Sequence, residues 1–417
     1  MRAEGRRDPG TRSAAPPRPM KMQLDSTTVP QRIPTSEIDP VTVRDDVPIE
    51  AIAPADWDGL TAGQPFASHA FLTALHATGC ASAVTGWQPR FATAWRGIRL
   101  AGAMPLYAKA HSYGEYVFDW AWADAFRRHG HRYYPKLVCA IPFTPTPGVR
   151  LFAHDDAART ALLARALARL RPGKAGAPPP FSSLHILFPD AADAERCGQA
   201  GMTLRQGVQF RWSNPGYRDF ADFLATFNHD KRKKVQQERR KLAGTGVEFV
   251  RRTGRGITRE DWEFFYRCYE GTYRAHHSTP YLSLEFFLRI GATMPDNLLL
   301  VLGYQDGTPL CAALDVHDAN SLWGRYWGTQ EYLPGLHFEA CYYQAIEFCI
   351  ERRIAIFEGG AQGPHKLARG LLPVTTYSAH AIADPAFAAA IADFCRREQV
   401  EIAHMQDELA ASSPFRE

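Results

Sequence analysis

An acid and several bases follow one another closely in the stretch FEGGAQGPHKLARG. Glu358 ends a short apolar segment, glycines then leave the backbone bare, and the basic side chains come after them. Transfer of an acyl group to an amine requires a proton acceptor and groups that stabilise developing negative charge. We therefore predict that Glu358 or His365 is a catalytic base, that Lys366 is catalytic, and that Gln362 and Arg369 bind substrate. A structural turn with exposed charges is the alternative.

A second candidate segment, WGRYWGTQEYLPGLHFE, has the pattern of a strand, a loop with glycine and proline, and the start of a helix. Free backbone N–H groups at a helix start, together with the helix dipole, form an anion site. We expect this segment to hold an anionic part of a substrate. The substrate-binding residues predicted here are Arg325, Tyr326, Trp327, His337 and Glu339.

Aromatic and acidic side chains alternate in the segment HSYGEYVFDWAWAD. Because carboxylates resist burial unless they are paired, this composition suits a cleft wall with a few polar anchors. A packed core with acids at its rim is the alternative. We predict that Glu115 and Asp119 bind the ammonium end of an acceptor, with Trp120 beside them.

Residues 229–241 carry seven lysines and arginines within thirteen positions. Such a run is typical of a solvated helix surface. It also matches a face that binds the phosphates of a tRNA or of coenzyme A. Both interpretations stay open from the sequence.

The bulk composition excludes several classes of function. The chain of 417 residues has a net charge of only +4 and contains no apolar run long enough to span a membrane. Its eight cysteines form no CxxC pair, which disfavours zinc and is typical of free thiols in the cytoplasm. The sequence has no P-loop, no GxGxxG, no HExxH and no GxSxG motif. We expect no metal and no permanently bound cofactor; the oligomeric state is left open.

The chain divides by composition into a tail and two folded parts. Residues 1–48 are rich in proline, arginine and serine, and we predict that they are disordered. Two domains are expected at 49–215 and 216–417. Strands alternate with helices, which favours an α/β (α+β) fold with a mixed sheet and helices packed on it. The clearest elements in the second part are predicted strands at 298–304, 309–316 and 321–326, a helix at 338–352 and a strand at 354–358.

Several of these segments resemble one protein family. The motifs SYGEYVFDWAWADA, YYPKL, PFTP, GRYWG, LHFEACYYQ and FEGGAQGPHK are similar to those of the FemAB-like predicted N-acyltransferases. The resemblance implies tandem acetyltransferase-like (GNAT) domains, each with a mixed, mostly antiparallel sheet flanked by helices. It also implies a peptidoglycan-related transferase that moves an acyl or aminoacyl group to a small-molecule or peptidyl amine. The co-substrate would be acyl-CoA or aminoacyl-tRNA, with tRNA held through residues 229–241. A non-catalytic module that binds a cell-wall or nucleotide-linked ligand, and a tRNA-binding protein, are the alternatives.

Overall fold

The strands form two sheets in the computed structural model, which describes residues 39–173, 177–360 and 363–416. The described strands are β1 Val41–Asp45, β2 Trp87–Pro89, β3 Ala92–Arg96, β4 Arg99–Met104, β5 Leu106–Lys109, β6 Lys136–Cys139, β7 Phe152–Ala153, β8 Ser183–Leu187, β9 Thr203–Ser213, β10 Val247–Thr253, β11 Leu298–Gln305, β12 Thr308–His317, β13 Ser321–Thr329, β14 Ile356–Gly360 and β15 Leu372–Ile382.

Helices pack against these sheets. They are α1 Pro54–Asp58, α2 His69–Ala77, α3 Trp120–Arg128, α4 Asp156–Ala168, α5 Ala191–Gln199, α6 Phe220–Ala225, α7 His229–Ala243, α8 Arg259–Ala275, α9 Leu284–Thr293, α10 Leu336–Phe338, α11 Gln344–Arg352 and α12 Pro385–Ala411. A π-helical turn, Glu339–Tyr343, joins α10 to α11, and a 3₁₀ helix, Pro364–Arg369, follows β14.

Within the described part of the chain, the larger sheet has eleven strands in the order β10-β11-β12-β13-β14-β9-β15-β8-β6-β5-β2. Its neighbouring strands are antiparallel except for two parallel pairs, β13 with β14 and β6 with β8. The smaller sheet has the order β1-β3-β4-β7. The mixed, mostly antiparallel sheet with flanking helices that the sequence predicts is therefore confirmed.

The larger sheet is covered on both faces in its second part, as the side chains of β11 show. Leu298, Leu300 and Leu302 pack into the core beneath α8 and α9, whereas Leu299 and Val301 pack into the core beneath α11. Alternate residues of a strand point to opposite faces, so a continuous apolar run is what a strand buried on both faces needs. This explains why LLLVL forms a central strand.

Two long strands cross between the halves of the chain. β9 precedes the predicted boundary at residue 215, yet it pairs with β14 from the second half. β15 comes late in the chain, yet it pairs with β8 from the first half as well as with β9. The sheet is consequently continuous across the boundary. The division into two domains stays a prediction, and any such domains exchange a strand.

Polar caps define where the helices begin. Ser68 accepts a hydrogen bond from the Phe71 backbone N–H at 3.2 Å at the start of α2. At α8, Thr258 and Asp261 form a reciprocal capping box. Such caps satisfy backbone N–H groups that have no partner inside the helix.

Most of the predicted elements in the second part are confirmed, including the three consecutive strands β11, β12 and β13 and the helix that follows them. Residues 41–45 differ from expectation, because they lie in the predicted tail and form β1, which pairs with β3. The remainder of that tail, residues 1–38, lies outside the described residues. Within the described residues, no helix combines the length and the apolar character needed to cross a membrane.

Candidate functional site

The parallel strands β13 and β14 stay together over a very short distance. They are paired at Ser321 with Ile356, Leu322 with Phe357, and Trp323 with Glu358. Beyond these pairs β13 continues to Thr329 with no partner from β14 among the described residues. On the other side of β13, the pairing with β12 is interrupted by a bulge between Leu314 and Asp315.

A cavity of about 200 Å³ lies where β13 and β14 separate. It is bounded by strands β12, β13 and β14, by the helical segment that follows β13 and by the 3₁₀ helix that follows β14. Its lining residues are Ala313, Leu314, Asp315, Gly324, Arg325, Tyr326, Trp327, His337, Cys341, Tyr342, Phe357, Gly359 and Lys366. Of the sequence-predicted site residues, the cavity thus brings together Lys366 and four substrate-binding candidates of the strand–loop–helix segment.

Lys366 reaches the cavity because the 3₁₀ helix folds back over β14. A Cβ atom at Gly359 would lie 3.6 Å from the Lys366 side chain and only 2.3 Å from Leu371, so glycine is needed there for close packing. The lysine side chain is buried, and no described residue forms an ion pair with it. Burial lowers the pKa of Lys366 to about 8.

Asp315 lines the same cavity and is 1% exposed. Its side chain forms no hydrogen bond or ion pair with a described residue, and its Oδ2 atom is buried without a partner. Burial raises the pKa of this carboxyl well above its ordinary value. Asp315 was not among the site residues predicted from the sequence. The available signal was a single charged residue in the otherwise apolar run LCAALDV.

Two histidines lie at the mouth of this site. His337 lines the cavity and packs against Trp327, with ring centroids 4.9 Å apart. Burial, with smaller contributions from His365 and Lys366, lowers the pKa of His337 to about 4. His365 is exposed, and its Nε2 lies 3.2 Å from the Tyr342 hydroxyl. Burial and the nearby Lys366 lower the pKa of His365 as well, so both rings are neutral at pH 7.

Glu358 lies beside the cavity but does not line it. Arg211 faces it across the β14–β9 pair and donates from Nε to Glu358 Oε1 at 2.8 Å. The carboxylate therefore already has a cationic partner, although its Oε2 atom is buried without a hydrogen bond. The assignment of Glu358 as a base stays a prediction.

Arg369 and Glu339 hold the walls of the site. Arg369 is buried, donates to Glu238 at 2.8 Å and lies 3.4 Å above the Phe338 ring. Glu339 accepts two hydrogen bonds from Arg239, at 2.6 and 2.9 Å. Both side chains fix the elements around the cavity in this structure. Gln362, also predicted to bind substrate, lies outside the described residues.

Arg325 connects the cavity to the first half of the chain. It donates from Nη2 to the Phe143 carbonyl oxygen at 2.7 Å and stacks on Tyr326. Both side chains were predicted to bind substrate, and both line the cavity. Arg325 thereby fixes the position of β13 relative to the first half.

The structure places Glu115, Asp119 and Trp120 away from this cavity. Glu115 and Asp119 are 3% exposed and share the ammonium group of Lys136, which lies 2.7 Å from Glu115 Oε2. The Tyr133 hydroxyl donates to Asp119 at 2.6 Å. The acids are thus paired inside the protein, whereas Trp120 is 41% exposed. Binding of an acceptor by these residues stays a prediction, and it requires Lys136 to release its partners.

Comparisons with known proteins agree with this architecture. The model of the FemAB-like family, described as peptidoglycan biosynthesis/recognition, matches residues 48–417. A comparison with curated protein sequences gives no match. Among solved structures, the crystal structure of FemX is similar with a TM-score of 0.50 and 12% identity, over 81% of this chain and 97% of that chain.

Two further structures are less similar. A tandem GNAT protein from the clavulanic acid biosynthesis pathway has a TM-score of 0.40 and 13% identity, over 83% of this chain and 99% of that chain. The C-terminal domain of a lysylphosphatidylglycerol synthetase from Agrobacterium fabrum, itself described as putative, has a TM-score of 0.44 and 12% identity, over 61% of this chain and 80% of that chain. At these identities the similarity concerns the fold alone, and FemX, at a TM-score of 0.50, supports the mixed α/β architecture that the sequence predicts.

Proposed function

The chain belongs to the FemAB-like family, and from this membership and the cavity between β13 and β14 we propose that it transfers an acyl or aminoacyl group from an activated donor to an amine. The observation that supports the proposal most is the position of Lys366. A buried lysine without an ionic partner among the described residues lines a cavity formed by separating parallel strands. An isolated buried charge is costly for stability, which favours a role in binding or chemistry.

In the proposed reaction the donor's carbonyl group enters the cavity and the neutral amine attacks its carbon. The new C–N bond forms first. The bond from the carbonyl carbon to the carrier then breaks, and the carrier leaves as a thiol or a hydroxyl by taking up the proton that the amine has given to the base. Negative charge develops on the carbonyl oxygen before the carrier leaves. The ammonium group of Lys366 is positioned to stabilise that charge in a site shielded from water.

The attacking amine must also lose a proton. Among the residues predicted to act as base, Glu358 is already paired with Arg211, whereas His365 is exposed and neutral. The ring centroid of His365 lies 6.1 Å from that of His337, which lines the cavity. We therefore assign proton acceptance to His365, directly or through a water molecule.

A charged face on α7 supports a large polyanionic carrier such as tRNA. Lys233, Lys234, Arg240 and Lys241 are exposed and form no ion pair with a described residue. Lys233 and Arg240 form one row along the helix, and Lys234 and Lys241 form a second. The two residues of each row are seven positions apart, which is about 10 Å along a helix. Phosphate backbones bind such rows through release of counterions. Arg239, by contrast, points inward to Glu339 and Glu347.

The test is a transfer assay with purified protein. Acyl-CoA and aminoacyl-tRNA donors are offered with amine acceptors that include peptidoglycan precursor peptides, and the products are identified by mass spectrometry. We expect amide formation by the wild type and a loss of about 100-fold or more in Lys366→Met, in line with removal of an oxyanion-stabilising group. The matched control is Arg396→Met, which removes an exposed cation on α12. Donor binding without any product would contradict catalysis and support a binding module instead.

A further inference from the structure

The larger sheet ends in an open edge at strand β10. Among the described residues β10 pairs with β11 alone, over seven residues and without a bulge. Every second residue of such a strand directs its backbone N–H and C=O groups away from the sheet. Within the described part of the chain these outward groups have no backbone partner. The edge is therefore able to accept a further strand.

The usual protections of a sheet edge are missing at β10. Proteins commonly protect an edge with a proline, a bulge or a covering loop. The strand contains no proline, its pairing with β11 is regular, and the side chain of Val250 is 40% exposed. Phe249 is half-buried and lines an open groove of about 630 Å³ beside the strand. Apolar side chains at an unpaired edge favour a partner there.

The charges along β10 are complementary to a second β10 strand in the antiparallel direction. About a two-fold axis perpendicular to the sheet, residues that lie opposite each other share a face, so one residue must lie opposite its own copy. With Val250 on that axis, Glu248 lies opposite Arg252 of the second copy, and the symmetry repeats this ion pair. Glu248 is exposed and forms no ion pair with a described residue. Arg252 contacts Asp261 through Nε at 3.1 Å, which leaves its terminal nitrogens for Glu248.

The sequence of β10 favours this register over its neighbours. With Val250 on the axis, each Arg251 lies opposite a Phe249 ring, a pair that cation–π attraction stabilises. With Arg251 on the axis, two guanidinium groups would oppose each other. With Phe249 on the axis, Glu248 would lie opposite Val250 and would have no cation across from it. Only the register centred on Val250 therefore matches every charge with a favourable partner.

We propose that a second copy of this chain binds along β10, so that two molecules form one continuous sheet through antiparallel β10 strands. The inference goes beyond the proposed transfer reaction and does not depend on it. Helix α7 covers the face of the sheet on which Phe249 lies, because Val235 and Leu242 pack in the same core as that ring. An axis perpendicular to the sheet keeps the α7 helices of both copies on one side of the joined sheet.

The experiment measures molecular mass by size-exclusion chromatography with light scattering, at protein concentrations up to about 100 μM. We expect wild type to be a dimer. Val250→Lys and Val250→Glu each place two like charges against each other on the axis, and each should raise the Kd of the dimer by about 10-fold or more. The matched control is Val400→Lys, which changes an exposed valine on α12 and should leave the mass unchanged. Circular dichroism checks that the variants fold.

An equal mixture of Val250→Lys and Val250→Glu tests the register itself. The mixture should form dimers at concentrations where each variant alone is monomeric, because lysine then lies opposite glutamate. If the variants at 250 do not fold, Glu248→Arg replaces them, since it changes an exposed side chain and places two arginine pairs across the axis; it should raise the Kd by about 10-fold as well. A monomeric wild type, a dimer that Val250→Lys or Glu248→Arg leaves intact, or a mixture that associates no better than its components would overturn the inference.

Discussion

Replacement of Lys366 by methionine should stabilise the protein while it abolishes transfer. Burial lowers the pKa of this lysine from 10.5 to about 8. At pH 7 the amine is charged in both the folded and the unfolded chain, so the folded state bears the cost of the buried charge. The change in pKa corresponds to about 3 kcal/mol. Methionine has a similar length and no charge, so we expect the free energy of unfolding to rise by about 2 kcal/mol after some loss of packing.

The gain should also depend on pH in a defined direction. Below pH 8 the full cost of the charge is present in wild type. Between pH 8 and 10.5 the folded chain loses its proton before the unfolded chain does, so wild type gains stability relative to Lys366→Met. Above 10.5 both forms are neutral and the difference vanishes. Urea unfolding at pH 7 and at pH 10 measures this, and Arg396→Met serves as the control with an exposed charge.

A destabilised Lys366→Met variant at pH 7, by 1 kcal/mol or more, would refute the reasoning. It would show that the lysine has an internal partner and a structural role. A gap between wild type and variant that does not shrink toward pH 10 would refute the assigned pKa. In the transfer reaction, the same ionisation predicts that wild-type activity declines above about pH 8, and that Lys366→Arg shifts this decline to higher pH.

Three further predictions concern the rest of the molecule. Lys136→Met leaves Glu115 and Asp119 buried without their main cation and should lower the free energy of unfolding by about 3–5 kcal/mol, measured by urea unfolding. Addition of Glu115→Gln and Asp119→Asn to this variant should restore most of the lost stability. A small loss of stability in Lys136→Met would instead show that the acids are free for a ligand. Cleavage at a protease site inserted near residue 216 should leave both halves of the chain in one peak on size-exclusion chromatography, because β9 and β15 pair with strands of the other half. Two separate folded fragments would contradict this exchange of strands. Replacement of the four exposed basic residues of α7 by glutamine should leave the melting temperature unchanged and abolish the salt-dependent binding of tRNA; these residues are Lys233, Lys234, Arg240 and Lys241. By contrast, Arg239→Gln should lower the free energy of unfolding by about 1–2 kcal/mol, because Arg239 pairs with Glu339 and Glu347. Retained tRNA binding in the fourfold glutamine variant would exclude this face of α7 as the tRNA site.

The sequence allowed good prediction of features that depend on neighbouring residues. The apolar run of β11 is such a local signal, and the strand predicted at 298–304 is confirmed. The π-helical turn between α10 and α11 was not foreseen, because it inserts one residue into an otherwise regular helical pattern.

Features that depend on distant residues could not be predicted in the same way. β9 pairs with β14, which is about 150 residues further along the chain, and no local pattern reports such a partner. The same limit applied to Glu115 and Asp119, whose charges are taken by Lys136 on a neighbouring strand. Their acidity suggested an open binding site, and only the packing of β6 beneath the segment shows that they are paired.

The candidate site contains one residue that a local sequence pattern indicates and one that no local pattern indicates. Lys366 was identified from the density of ionisable groups in one glycine-rich loop, and the structure places it in the cavity. Asp315 was overlooked because it lies within an apolar strand, where a single acid has no neighbour in sequence with which to form a motif. The two residues are 51 positions apart in number, and the separation of β13 from β14 is what brings them to one cavity.

The central claim, that the acyl donor reacts between β13 and β14, is tested most directly by a crystal structure with an amide-linked, unreactive donor analogue. We predict that the acyl group occupies the cavity beyond Trp323 and Glu358, with its carbonyl oxygen within hydrogen-bond distance of Lys366 Nζ. An analogue bound instead in the groove beneath Tyr116 and Phe118, beside Gln209, would contradict it and move the reaction to the first half of the protein.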